Sequence, residues 1–358
     1  MDGRRVVGAV SLAAGADAFQ VRTAGRTSSV KVADVLAVVL RPMPPFRPPD
    51  PGVVLQTGDR LTGRIGVMTG NRIEVETALF GTIRFTVDQL AALHFTSPPD
   101  ARRRRIMPPG ALLADGSFVA GPLRWLTPET MALESEVMGL AEVPRRRVRS
   151  YAVAPVERGG GRDPRVEVRC INGDLVSGTL VSLGPAGPVI EAPWIGRRTV
   201  PNDRVQRLRF LGGPVVPLTD LEPAEKKTVP FFDAIRPPVR GRSLDARPLR
   251  IGDRRYVTGW GVEPRTELTF RLDGTYRWFH VDVGIDEEVG DHGNVAFRIE
   301  LDGRVAYRSG PVTGAMQAQP VHLNVARAKV MRLIVDFGAD AHLLDHADWA
   351  EPILIAAR

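Results

Sequence analysis

An all-β protein is predicted from three observations. The chain of 358 residues carries 30 prolines and 36 glycines with only 6% aromatics, a composition that favours short strands and turns over long helices. Apolar and polar residues alternate with a period of two through most of the last third, as half-buried strands do. Turn dipeptides such as Asp273-Gly274 and Asp302-Gly303 punctuate that alternation. The expected architecture is a tandem of small β-barrels followed by one β-sandwich.

The tandem is read from internal self-similarity. Gly8, Gly63, Gly121 and Gly178 recur at spacings of 55, 58 and 57. They sit in the phrases Arg5-Val6-Val7-Gly8, Asp59-Arg60-Leu61-Thr62-Gly63, Asp115-Gly116-Ser117-Phe118-Val119-Ala120-Gly121 and Asp174-Leu175-Val176-Ser177-Gly178. A second glycine follows 17 or 18 residues later, at Gly25, Gly81, Gly139 and Gly196. Each copy then ends on a strand-like segment: Val38-Val39-Leu40, Leu93-His94-Phe95, Val148-Arg149-Ser150-Tyr151 and Leu208-Arg209-Phe210. At the level of this motif the copies resemble SH3-like and Sm-like domains, which implies small bent barrels. Such barrels bury little surface alone, so the copies are expected to pack on one another.

Proline-rich connectors separate the copies and stiffen the spacers. The expected units are repeats at 1–48, 49–107, 108–162 and 163–213, a linker at 214–227 and a sandwich at 228–358. Charge supports the last boundary. Residues 1–227 hold 31 Lys and Arg against 23 Asp and Glu, whereas residues 228–358 hold 17 against 18. The overall charge of +7 therefore belongs to the repeats, where it raises an anionic partner.

The sandwich is expected from successive alternating runs. Glu267-Leu268-Thr269-Phe270-Arg271-Leu272 is followed by Trp278 to Ile285, with Phe279, Val281, Val283 and Ile285 on one face. Val295 to Leu301 and Val305-Ala306-Tyr307 flank Asp302-Gly303, a strong hairpin signal. Val321 to Val325 and Met331 to Phe337 supply two more strands, and the chain closes on Asp345-His346-Ala347-Asp348-Trp349.

This ordered set resembles the NPCBM family of carbohydrate-binding modules. The matching residues are Pro248 to Gly252, Tyr256 to Gly261, Val283 to Asp286, Val295 to Phe297, Leu301 to Gly303 and Asp345 to Ala350. The resemblance spans about Pro230 to Ile355. It implies a galactose-binding-like β-sandwich, or jelly roll, without catalytic activity.

Several residues are candidates for chemistry. Sugar recognition takes carboxylates that accept from hydroxyls and an aromatic face that stacks on ring C–H groups. Asp345, Asp348 and Trp349, with His346 as an added donor and with Trp260 and His280, are the expected ligand-binding residues; core plugging and loop pinning are the competing roles. Arg102, Arg103, Arg104 and Arg105, and Arg145, Arg146 and Arg147, are the candidate polyanion contacts, against a role as solvated connector or strand edge. These arginines have no interleaved aromatics, as single-strand binding needs, so nucleic acid is the least favoured partner. Asp286, Glu287, Glu288 and Asp291 form an acidic loop with the oxygens a structural calcium takes, though without the alternation of a helix-loop-helix site. His342 and His346 are four apart but lie in a strand-rich context, against a helical zinc pair. No other cofactor is expected. Cys170 stands alone, admits no intramolecular disulfide and is expected in a core.

No stretch reaches the length of an apolar membrane span. Arg4-Arg5 and the residues to Ala18 can be read as a signal peptide, but the repeat register assigns them to strands; a leader is expected outside this sequence, and an extracytoplasmic, envelope-associated location with it. No nucleophile elbow, phosphate loop or dinucleotide fingerprint appears. The expected function is carbohydrate binding by the sandwich, with the basic repeats as scaffold or docking array for a glycan, envelope polysaccharide or protein partner. A structural envelope protein without a sugar ligand, and a polyanion or nucleic-acid binder built on the repeats, are the alternatives.

Overall fold

The computed structural model describes residues 6–35, 37–41, 51–96, 108–153, 165–229, 236–256, 258–338 and 344–356. It is all-β, its only helical elements among them being single 3-10 turns. The chain divides into two units, 7–212 and 213–358 with the first six residues. Each is described by itself.

In the first unit, copy 2 shows the repeat in full. Strands Gly52–Leu55, Arg60–Thr69, Arg72–Thr77 and Gly81–Thr86 are followed by a 3-10 turn, Val87–Gln89, and a last strand, Leu90–His94. The last strand returns to pair antiparallel with the first. Thr86 and Gln89 cap the turn reciprocally, which fixes the angle at which the chain re-enters the sheet. Copy 4 follows the same course with Arg165–Cys170, Leu175–Gly184, Gly187–Ala192, Gly196–Thr199 and Val205–Leu211. In copy 3 the long second strand is split into Phe118–Ala120 and Leu123–Leu126. In copy 1 the described strands are Ala9–Ser11, Ala18–Thr23, Arg26–Lys31 and Ala37–Val39.

The recurring glycines have two separate physical causes. At the first, the second strand crosses hard against the third. A Cβ on Gly63 would lie 2.3 Å from the Glu76 carbonyl oxygen, and one on Gly178 would lie 2.4 Å from that of Glu191. The second glycine closes the hairpin between third and fourth strands with a positive φ, 68° at Gly81 and 63° at Gly196, which a side chain disfavours.

The copies do not stack in chain order. Strands from all four join one 14-stranded sheet. The last strands of copies 2 and 3 pair, with Tyr151 opposite Leu93, and so do the last strands of copies 1 and 4, with Val38 opposite Leu208. Copies 2 and 4 meet through their second strands, where Leu175 lies opposite Arg60. The spatial order is therefore 3-2-4-1. One continuous core, including Val53, Leu61, Ile73, Leu133, Tyr151, Val168 and Leu208, runs through copies 2, 3 and 4. Cys170 is buried in it, and burial pushes its thiol pKa up to about 12, which keeps it unreactive.

The second unit is a sandwich of two six-stranded antiparallel sheets. One contains Val239–Arg240, Gly259–Val262, Ala347–Ala356, Tyr276–Ile285 and Gln319–Asn324, with Val215–Pro217 added to the strand Ala347–Ala356. The other contains Glu225–Thr228, Thr266–Arg271, Val330–Phe337, Asn294–Leu301 and Arg304–Arg308, with Val312–Thr313. The alternation read from the sequence is what fills the space between them: Phe279, Val281, Val283, Phe297, Leu333 and Val335 face inward. A hairpin of Arg250–Ile251 and Arg254–Arg255 lies outside the first sheet, its Leu249, Ile251 and Tyr256 covering Ala350.

Candidate functional site

The sequence placed six ligand-binding candidates in the sandwich, and the structure distributes them over three environments. Trp349 is fully buried in the core, with its ring edge-on to Phe297 at 4.9 Å. Trp260, opposite it on the neighbouring strand, is 1% exposed and lies beneath the guanidinium of Arg240 at 4.9 Å and the ammonium of Lys226 at 5.6 Å. Neither indole presents a face to solvent.

Asp348 points the other way from Trp349, as strand neighbours must. Glycines stand opposite it on both flanking strands, Gly261 and Gly284, and leave room for a carboxyl beneath the loop Arg242–Ile251. Its side chain is fully buried, and burial together with the adjacent Asp286 carboxylate raises its pKa well above the usual range. Asp286 accepts from the backbone N–H of Glu288 (2.9 Å) and of Arg250 (3.1 Å). Burial raises the pKa of Asp286 as well, so the buried pair disfavours two negative charges at once. Asp345 caps a different loop, accepting from the Asn294 N–H at 2.8 Å.

His346 belongs to a chain of polar contacts at the edge of this buried patch. Arg236 Nη1 donates to His346 Nε2 at 2.8 Å, so Nδ1 carries the hydrogen that bonds Glu288 Oε1 at 2.8 Å. Ser243 Oγ donates to the other Glu288 oxygen at 2.8 Å, and Arg236 also holds Asp245. Asp245, Glu288 and His346 offer ligand atoms within 4.8 Å of one another, a donor set with metal-binding character, and the Arg236 guanidinium bonds two of the three. Of the acidic loop, Asp286 and Glu288 are turned inward in this way and Glu287 pairs with Arg250 at 3.3 Å. His342 lies outside the described residues.

His280 alone of the six stands on an accessible sheet face. Trp278, His280 and Asp282 alternate outward on the strand Tyr276–Ile285, and Asn324, His322 and Pro320 lie opposite them in register. The two imidazoles touch, with ring centroids 4.6 Å apart. Asp282 is held in place by Arg254 at 2.6 Å and by the Tyr256 hydroxyl at 2.9 Å. An indole with a row of donors and acceptors beside it is the constellation a sugar ring takes. Sequence reasoning found His280 but missed Trp278, His322 and Asn324, because only the strand register brings them together.

In the repeats, the arginine candidates divide likewise. Arg145 is tied to the carbonyls of Gly66 at 2.8 Å, Thr127 at 3.1 Å and Ile65, and lies 5.1 Å over the Phe95 ring. It staples copy 3 to copy 2. Arg147 pairs with Asp115 at 2.9 Å. Arg146 is exposed. Arg102, Arg103, Arg104 and Arg105 lie outside the described residues.

Residues 215–355 match the family model of the NPCBM/NEW2 domain. The C-terminal unit is thus an NPCBM domain. A curated relative, alpha-1,3-galactosidase B of Akkermansia muciniphila, is 28% identical over 120 residues, which cover 31% of this chain and 14% of that protein; the chain spans only a small part of this relative's length. Among solved structures, CBM51 from Clostridium perfringens GH95, in complex with methyl-galactose, is 24% identical, with a TM-score of 0.36, over 39% of this chain and 99% of that one. The tandem CBM51 modules of a family 98 glycoside hydrolase from Streptococcus pneumoniae are 12% identical, with a TM-score of 0.35, over 70% of this chain and 89% of that one.

Proposed function

We propose that the C-terminal sandwich is a non-catalytic carbohydrate-binding module and that the repeats act as its scaffold or docking array. The observation that carries this reading is the NPCBM match, which runs the length of the sandwich from its first strand to its last. The outward row of Trp278, His280 and Asp282 beside His322 and Asn324 is where the sugar is placed. Trp278 offers the C–H-facing platform, Asp282 accepts from hydroxyls in an orientation set by Arg254 and Tyr256, and His322 and Asn324 add exchangeable donors and acceptors. Stacking and hydrogen bonding are the chemistry this row offers a sugar. Glycans of this kind place the protein outside the cytoplasm, in an envelope or secreted setting. Among the described residues no helix is long and apolar enough to cross a membrane.

The test is a glycan-array screen of the full chain with Trp278→Ala and His322→Ala alongside. A neutral-glycan signal abolished in Trp278→Ala, at an unchanged melting temperature, supports both the function and its place. A signal that survives both substitutions moves the site elsewhere on the sandwich. No signal from the folded wild-type chain overturns the carbohydrate reading in favour of a structural envelope role.

A further inference from the structure

A second concave surface lies in the repeats, where copies 2 and 4 meet. The hairpin ends of the two copies enclose a depression of about 520 Å³ lined by Phe80, Thr82, Ile83, Arg84, Trp194, Ile195 and Arg198, a volume in the range of small-ligand sites. Its floor is aromatic and aliphatic. Trp194 packs against Phe80 at 6.2 Å and Phe85 at 5.9 Å, and its Nε1–H donates to buried Asp59 at 2.8 Å. The indole is therefore locked in orientation before any ligand arrives, which lowers the entropic cost of stacking on it.

The rim is cationic. Arg84 and Arg198 are exposed, on the strands Gly81–Thr86 and Gly196–Thr199, and among the described residues no carboxylate lines the depression. Among the described residues Arg198 donates to the neighbouring Arg197 carbonyl, at 3.3 Å. Arg84 is bonded through Nε to Glu74 at 3.2 Å, which leaves its terminal nitrogens for a ligand. Arginine in this position takes a planar carboxylate in bidentate fashion.

We propose that this depression is a subsite for a sugar acid, with a pyranose face on Trp194 and its carboxylate at Arg84 and Arg198. A longer polyanion is disfavoured by what surrounds the site. Glu74, Glu76 and Glu191 stand on the adjoining strands with side chains 42%, 60% and 52% exposed. Each is paired with an arginine, Glu74 with Arg84, Glu76 with Arg64 and Glu191 with Arg197, so the cationic surface beyond the depression is interrupted rather than continuous, which suits a single carboxylate better than a chain of phosphates. This site is independent of the sandwich and of the arginine runs read from the sequence.

The experiment is isothermal titration of the full chain with trigalacturonate, with its methyl ester, with sodium sulfate at matched ionic strength and with hexathymidylate. Arg198→Ala is the probe, and Arg304→Ala, an exposed arginine of the sandwich, is the control. The expected result is saturable trigalacturonate binding, lost on esterification and weakened about tenfold or more in Arg198→Ala but not in Arg304→Ala. Trp194→Phe, which keeps an aromatic floor, retains most of that affinity. Absence of binding by the wild-type chain overturns the inference, as does equal weakening in both arginine variants or equal competition by sulfate. Tighter, Arg198-dependent binding of hexathymidylate overturns it in favour of nucleic acid.

Discussion

Asp59 and Asp174 cap each other's repeats. Asp59 Oδ1 accepts from the Ser177 N–H of copy 4 at 2.7 Å, and Asp174 Oδ1 accepts from the Thr62 N–H of copy 2 at 2.5 Å. Both carboxyls are fully buried, and both have pKa values raised by that burial. Each stands four residues before its repeat's crossing glycine, and Thr62 and Ser177 stand one before it. Copies 1 and 3 have Arg4 and Ser117, and Val7 and Ala120, at those positions. The pairing of copy 2 with copy 4 is thus chosen by two residues that the other copies lack.

Removing either cap strands buried donors, at about 1–3 kcal/mol for each group left unmade. Asp59→Ala deprives the Ser177 amide and the Trp194 indole and is expected to cost about 3 kcal/mol. Asp174→Ala is expected to cost about 2 kcal/mol. The double variant should cost clearly less than the sum, because both act on one interface. Urea unfolding of the repeat unit reads all three, and strict additivity would show that the caps act separately.

Asp348 gives the sandwich a pH dependence with a definite sign. Its folded pKa is raised, so the stability tied to its protonated form is fully present below the carboxylate's unfolded value and is lost as pH rises through the folded one. The sandwich transition should therefore weaken as pH rises above the ordinary carboxylate range. Asp348→Asn, which keeps the side chain's shape without an ionisable group, should flatten that slope and raise stability at the alkaline end. Thermal unfolding as a function of pH checks it, and an unchanged slope would remove Asp348 as its source.

Arg145 is expected to behave as a structural residue. Arg145→Ala leaves three carbonyls without their donor and should cost about 2 kcal/mol. The exposed neighbour changed as Arg146→Ala should stay within about 0.5 kcal/mol of wild type. Equal effects of the two in chemical denaturation would contradict the staple.

The crossing glycine should tolerate no side chain. Gly63→Ala forces its Cβ against a backbone carbonyl and should destabilise by about 3 kcal/mol. Gly184→Ala, where nothing lies within 4 Å, should be neutral or stabilise by up to about 1 kcal/mol. Differential scanning calorimetry separates the two.

Much of this fold was legible. Period-two alternation announced the sandwich strands, and Gly63 with Gly81 and their equivalents announced the repeat because each glycine answers a backbone demand that recurs. Sequence spacing could not give the order 3-2-4-1, because the strands that pair across copies are far apart in the chain. The site was less legible. Asp348 and Trp349 look like a sugar-binding pair when read as neighbours, yet on a strand they face opposite sides, one under a loop and one in the core. That alternation was available from the sequence alone. The row of Trp278, His280, His322 and Asn324 was not, because it depends on register between strands with no connecting turn.

The order 3-2-4-1 also decides which repeats depend on which. In a solenoid a terminal repeat can be deleted or duplicated, since each touches only its sequence neighbours. Here copy 4 is the hub for both copy 1 and copy 2, and it is synthesised last. Truncation before residue 165 would remove the strand partner of copy 1 and the contact between copies 2 and 4, while copies 2 and 3 would keep their own pairing. The array closes as one cooperative body only when its final strand has emerged.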